Sequence, residues 1–138
     1  MSKEKKLENF LKIINGEIPS VKLYEDSKCI VILDINPVAK GHCLVIPKQV
    51  FATLGECPIE LLSHLFEVVK LVDAKQRKVL ACDATNIFIN NGKAAGQEIP
   101  HIHIHIVPRF ENDGKKVAIK HEEYVKGEML ILGQALKI

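Results

Sequence analysis

Seven residues, His101-Ile102-His103-Ile104-His105-Ile106-Val107, alternate without a break between Pro100 and Pro108-Arg109. Strict alternation predicts a β-strand, in which successive side chains point to opposite faces. The three histidines then share one face, and Ile102, Ile104 and Ile106 share the other. Prolines at both margins fit, because proline cannot donate to a strand ladder. The isoleucine face demands burial. Three imidazoles in a row are a poor packing solution, since each ring needs hydrogen-bond partners and titrates near neutrality. Neighbouring rings could share a zinc ion, with nitrogen ligands at ~2.0–2.1 Å. The outer pair, at ~3.3 Å of rise per residue, stand about 13 Å apart, which suits an extended anion better than one ion.

Upstream, Asn90-Asn91-Gly92-Lys93-Ala94-Ala95-Gly96-Gln97 follows the apolar run Ile87-Phe88-Ile89 and leads into the histidines. Glycines and small side chains let backbone N–H groups approach a phosphate. A plain hairpin connection would look similar. Coupled to three same-face histidines, the loop points to phosphate chemistry.

The ordered set Asn90-Asn91-Gly92, Gly96-Gln97 and His101 to Arg109 resembles the signature of the histidine-triad (HIT) family of nucleotide hydrolases and transferases. Three further blocks extend the resemblance to most of the chain: Ile13-Ile14-Asn15-Gly16-Glu17-Ile18-Pro19, Leu33-Asp34-Ile35, and Gly41-His42-Cys43-Leu44-Val45-Ile46-Pro47-Lys48. The branch it resembles is bacterial-type and Hint-like.

That resemblance implies roles for particular residues. His103, the central ring, is the nucleophile, forming a transient nucleotidyl-histidine on the α-phosphate. His105 and a fourth histidine, His42, bond the phosphate or orient His103, and His101 lies nearer the leaving group. Gln97 and backbone N–H groups of the loop stabilise developing charge, Asn90 polarises a phosphate oxygen or fixes the loop, and Gly96 admits the phosphate. Asp34 accepts hydrogen bonds from ribose hydroxyls, although a turn-forming role before Asn36-Pro37 reads equally well from the residues alone. Leu33 and Ile35 flank the nucleoside, and Phe10, Ile13 and Ile18 touch the purine. No cofactor and no metal are implied. The partners implied are a purine nucleotide substrate, a derivative of adenosine or guanosine monophosphate, and a second copy in a two-fold homodimer.

Two departures matter. Some microbial relatives hold a structural zinc with two N-terminal cysteines, a histidine after Ile-Pro-Lys and the first triad histidine. Here those positions read Glu8, Leu11 and Val50, leaving only His101. The residue after Gly-Gln is Glu98 where the animal-type branch has a leaving-group serine. A carboxylate beside phosphates repels them unless protonated or turned away.

With 138 residues the expectation is a single domain spanning 1–138, with a tail over 1–6 and a variable segment over 110–138. A formal charge of +2 makes no case for nucleic acid or membrane as partner. Cys29, Cys43, Cys57 and Cys82 form no Cys-x-x-Cys pair and read as small apolar residues of a reducing compartment, so a cytoplasmic location is expected. Leu7, Phe10, Leu11 and Ile14 predict a short N-terminal helix closed by Gly16. Strands are expected over Val21–Tyr24, Cys29–Leu33, His42–Ile46, Thr85–Asn90 and His101–Val107, with a further short one over 117–119. A long helix begins at Pro58, with His64 on it structural or exposed, and another covers 122–137. The expected fold is α+β and HIT-like: one antiparallel sheet of about five strands packed with the long central helix and the N-terminal helix.

Three functions compete at this point. The first is hydrolysis of a purine nucleoside phosphoramidate or related mononucleotide derivative. The second is hydrolysis of diadenosine polyphosphates. The third is a regulatory nucleotide-binding dimer with slow turnover.

Overall fold

The computed structural model describes residues 1–116 and 119–138. Its elements run α1 (Lys3–Ile14), β1 (Lys22–Glu25), β2 (Cys29–Leu33), β3 (Cys43–Pro47), α2 (Ile59–Leu80), β4 (Ala84–Phe88), β5 (Ile104–Arg109) and α3 (Glu128–Ala135), with 3-10 turns at Leu54–Glu56 and Lys93–Ala95. The five strands form one sheet in the order β1-β2-β3-β5-β4, every neighbouring pair antiparallel. The expected architecture is present.

Each face of the sheet has its own core. Cys29 and Val31 of β2, Cys43 and Val45 of β3, and Ile104 and Ile106 of β5 pack against Leu65, Val68, Val69 and Val72 of α2. On the opposite face, Ile30, Ile32, Leu44 and Ile46 pack against Phe10 and Ile14 of α1. Central strands covered on both faces read as continuous apolar runs, which is how β2 and β3 appear in the sequence. Among the described residues α1 packs on the second face with Ile99 beside it, and part of that face stays open.

Several boundaries differ from expectation for identifiable reasons. Residues 3–6 are not tail but the first turn of α1, because the Ser2 hydroxyl caps it by accepting from the Lys5 N–H at 3.2 Å. The last helix covers Glu128–Ala135 rather than 122–137, starting after Gly127 at φ +83°. Its side chains are exposed. The strand expected over 117–119 falls on Val117 and Ala118, which lie outside the described residues. β5 begins at Ile104, not His101, and runs through Pro108 to Arg109.

That last shift has a ladder cause. Asp34 N–H donates to the His42 carbonyl at 2.9 Å, so alternate residues of β3, namely Cys43, Val45 and Pro47, turn their backbone groups toward β5. Cys43 faces Ile106 and Val45 faces Ile104. Pro47, next in register opposite Ile102, has no N–H to give. The ladder stops there, and Ile102 N–H turns to the Phe51 carbonyl at 2.8 Å.

α2 is pinned to the β1–β2 turn through Asp26. Its carboxylate accepts from Tyr24 Oη (2.7 Å), Lys28 N (2.7 Å), Cys29 N (2.8 Å) and His64 Nε2 (2.6 Å). The His64 bond lowers the Asp26 carboxyl pKa, as do those from Tyr24 and the two amides, against a burial penalty that is the largest single influence. Asp26→Ala strands these donors in a half-buried pocket. It is expected to lower unfolding free energy by about 1–3 kcal/mol in urea titration. A loss below about 0.5 kcal/mol would show that the pin carries no stability.

Candidate active site

The open part of the second face is a cavity of about 490 Å³, within the usual range for a small-molecule site. β2 brings Leu33 and Asp34 to it, β3 brings Leu44 with His42 just before the strand, β5 brings His105 with His103 just before it, and β4 brings Phe88. The turn into β3 requires Gly41. Its φ is +96°, and a Cβ there would lie 2.6 Å from Leu80 Cδ1.

The hydrogen bonds determine which ring nitrogen carries each proton. A backbone amide only donates, so Val38 N–H, 3.1 Å from His42 Nδ1, leaves the His42 proton on Nε2. That N–H faces His105 Nδ1 at 3.0 Å, which in turn places the His105 proton on Nε2. His105 Nε2 is buried and has no partner among the described residues. His103 Nδ1–H donates to the His101 carbonyl at 2.8 Å, so its Nε2 keeps a bare lone pair. The two rings are adjacent, with centroids 4.8 Å apart. A lone pair and an unpaired donor thus stand side by side at the cavity wall. These assignments hold for neutral rings, and burial lowers the pKa of His42, His103 and His105, the last to about 4.

His101 is the departure. Its ring is fully buried and does not line the cavity. Nδ1 accepts from Phe51 N–H at 3.3 Å, and Nε2–H donates to the Pro47 carbonyl at 2.8 Å. Because the ladder ends at Pro47, the chain bends before β5, and the first histidine turns into the gap instead of extending the row. The expected position near a leaving group is corrected: His101 braces the backbone whose carbonyl holds His103.

The other expected residues, Phe10, Ile13, Ile18, Leu33, Asp34, Ile35, Asn90, Gly96, Gln97 and Glu98, all line the cavity with His42, His103 and His105. Ile35 sits at the rim, 94% exposed. Asp34 Oδ1 accepts from Asn36 N–H at 2.9 Å, and Oδ2 stands 3.7 Å from His42 Nε2. The turn reading and the cavity reading of Asp34 therefore coexist. Gln97 is corrected in role. Its amide is committed to the loop, accepting from Gly92 N–H at 2.8 Å and donating to the carbonyls of Ala52 (2.7 Å) and Ile99 (3.0 Å). It shapes the loop instead of offering a donor.

Phe88 was not among the expected residues. It lies directly opposite His105 in the β4–β5 register and stacks on that ring at 4.5 Å and 9°. Its signal was available only through strand pairing. Among the described residues, two clusters present donor atoms within 4.8 Å of one another in the manner of a cation site: Asp34, His42 and His105 in the cavity, and Asp26, Cys29 and His64 on the other face. In the first, His42 and His105 are hydrogen-bonded to each other and Asp34 stands 3.7 Å from His42; in the second, His64 and the Cys29 backbone N–H both donate to Asp26. No helix of the described residues is long and apolar enough to cross a membrane.

A family model described as the HIT domain matches residues 15–112. Adenylylsulfatase HINT3 of Arabidopsis thaliana is 48% identical over 104 residues, 75% of this chain and 53% of that protein, so the chain spans about half that relative's length. Adenosine 5'-monophosphoramidase HNT1 of Saccharomyces cerevisiae is 42% identical over 100 residues, covering 72% of this chain and 61% of the yeast protein. A crystal structure of a HIT family member from Bacillus subtilis superposes with a TM-score of 0.84 at 36% identity, over 92% of each chain.

Proposed function

The chain belongs to the HIT domain family, and on that premise we propose that it is a nucleotide hydrolase cleaving a purine nucleoside phosphoramidate, or a related mononucleotide derivative, at the α-phosphate. The observation that carries this reading is the pair of adjacent rings in opposite states: His103 Nε2 bare, His105 Nε2–H unpaired. The lone pair attacks phosphorus, and the phosphorus–nitrogen bond breaks as the leaving nitrogen takes a proton from solvent and departs as the amine. The unpaired donor meets a non-bridging phosphate oxygen, where it is worth more than in water. Water then attacks the phosphorus–imidazole bond, freeing His103 and the nucleoside monophosphate. The apolar end of the cavity, Phe10, Ile13, Ile18, Leu33 and Ile35, takes the purine, and Asp34 takes the ribose hydroxyls.

Charge separates this from the polyphosphate reading. Asp34 and Glu98 line the cavity, and among the described residues no lysine or arginine does. Each added phosphate would bring negative charge to a site with no permanent cation to meet it. The yeast and Arabidopsis relatives are named as a monophosphoramidase and an adenylylsulfatase, activities on substrates with a single nucleotide phosphate. The homodimer implied by the resemblance is supported by exposed apolar side chains on α2 (Phe66, Leu71, Val79) and on the free edge strand β4 (Ile87, Phe88).

Steady-state assays with adenosine 5'-phosphoramidate, adenylyl sulfate and diadenosine tetraphosphate test the proposal. The phosphoramidate is expected to give a kcat/KM at least about tenfold above the tetraphosphate, a difference of about 1.4 kcal/mol. Preference for the tetraphosphate would overturn it. Tight binding of adenosine monophosphate with no turnover of any of the three would favour the regulatory dimer.

A further inference from the structure

Gln76 is a buried polar side chain in the middle of α2, on the sheet face away from the cavity. Its Nε2 donates to the Gly41 carbonyl at 2.8 Å and to the Ile106 carbonyl at 3.0 Å, and lies 3.4 Å from Cys43 Sγ. Its Oε1 is buried with no partner. An apolar side chain of the same size would avoid that unmade bond. The glutamine therefore stabilises something other than the core.

The ladder shows what. Gly41 lies in the turn just before β3, and continuing the register two residues past the Cys43–Ile106 pair sets it beside position 108. Position 108 is proline, whose ring comes within 3.6 Å of the Gly41 Cβ direction. The inter-strand bond due there cannot form. Apart from the Cys43 thiol at 3.1 Å, the Gly41 carbonyl has Gln76 in place of the missing N–H. The two carbonyls that Gln76 bridges belong to the residue before His42 and the residue after His105.

We propose that Gln76 is a positioning residue for the His42–His105 pair: it substitutes for the strand bond that Pro108 cannot make. It thereby holds the start of β3 against β5 at the spacing that lets His42 Nε2–H reach His105 Nδ1. The proposal rests on the hydrolase reading only for its kinetic consequence. The hydrogen-bond geometry and the tautomers stand apart from it.

Wild type, Gln76→Met, Pro108→Ala and the double variant form the test. In ligand-free wild type, long-range proton–nitrogen-15 spectra are expected to show both His42 and His105 with the proton on Nε2. In Gln76→Met the two rings are expected to average between tautomers. With the phosphoramidate, kcat falls about tenfold to a hundredfold while KM stays within about threefold. Pro108→Ala restores a backbone N–H opposite Gly41, so the double variant is expected to regain both the tautomers and most of kcat. A purely structural glutamine would move neither tautomer nor kcat/KM balance, and its loss would not be repaired from position 108. An unchanged tautomer pair in Gln76→Met, or a double variant as impaired as the single, overturns the proposal. Should the single variant fail to fold, a folded double with native tautomers supports the proposal and one without them overturns it. If wild type turns over no nucleotide, the function falls, and the spectra still decide the role of Gln76.

Discussion

His103→Ala is expected to reduce turnover of an adenosine phosphoramidate by about 10⁴-fold or more, since removing a covalent nucleophile eliminates the step the other groups serve. Mass spectrometry of wild type mixed with an activated adenosine monophosphate donor should show a transient adduct of one nucleotide, absent from the variant. The contrast with the neighbouring rings makes this specific. His105→Ala removes a charge-stabilising donor and should cost about 10²–10³-fold, with the adduct still forming slowly. His101→Ala removes a buried brace, so its effect should fall on stability before chemistry. Circular dichroism would establish that His103→Ala is folded, because its ring is only half-buried and its one bond is to a backbone carbonyl. An adduct that persists in His103→Ala, or activity within tenfold of wild type, would end the covalent mechanism.

Acid should destabilise this protein well before its carboxylates protonate. Burial lowers the pKa of His42, His101, His103 and His105 below the ordinary value of 6.5, His105 to about 4. The sign follows from linkage. Above pH 6.5 the rings are neutral folded and unfolded, and stability is complete. As pH falls below 6.5, the unfolded chain takes up protons that the folded chain refuses, and for His105 this costs up to about 1.4 kcal/mol per pH unit down to about 4. Between pH 7 and 5 His105 alone should lower the unfolding free energy by about 2 kcal/mol, and the other three rings act in the same direction. Asp26, Asp73 and Asp113 have lowered carboxyl pKa values, so their contributions are lost only at lower pH and mark a second phase. Denaturation at pH 7, 6 and 5 measures the first phase. A change below about 1 kcal/mol would mean the imidazoles are charged in the folded protein, and the neutral tautomer chain would have to be abandoned.

Period was the most readable property of this chain. A two-residue repeat placed Ile104 and Ile106 in the core and His105 on the other face, while the apolar spacing of α1 and α2 located their buried sides, because alternation and helical spacing are consequences of local backbone geometry. The family resemblance brought into view the three cavity-lining histidines, Asp34 and most of the apolar end of the cavity. What escaped were relations between segments. Phe88 stacks on His105 only because of strand register. His64 bonds Asp26 across 38 residues. Gln97 looks like a substrate ligand until its amide is found closing its own loop and tying it to the Ala52 carbonyl.

The prolines show where local reasoning stops. Proline at the margins of the histidine run was visible in the sequence, and so was the donor each one lacks. Which carbonyl is thereby left waiting depends on the strand that lies alongside. Pro47 ends the ladder and lets His101 turn inward, and Pro108 opens a gap that Gln76 of α2 fills. From the order of its residues alone, this chain specified a histidine-bearing sheet, its two apolar faces and the chemistry its rings are suited to. Only the packed structure decided which ring keeps a bare lone pair, which an unpaired N–H and which is a brace, because a histidine's proton goes to whichever nitrogen lacks a donor facing it, and those donors come from distant parts of the chain.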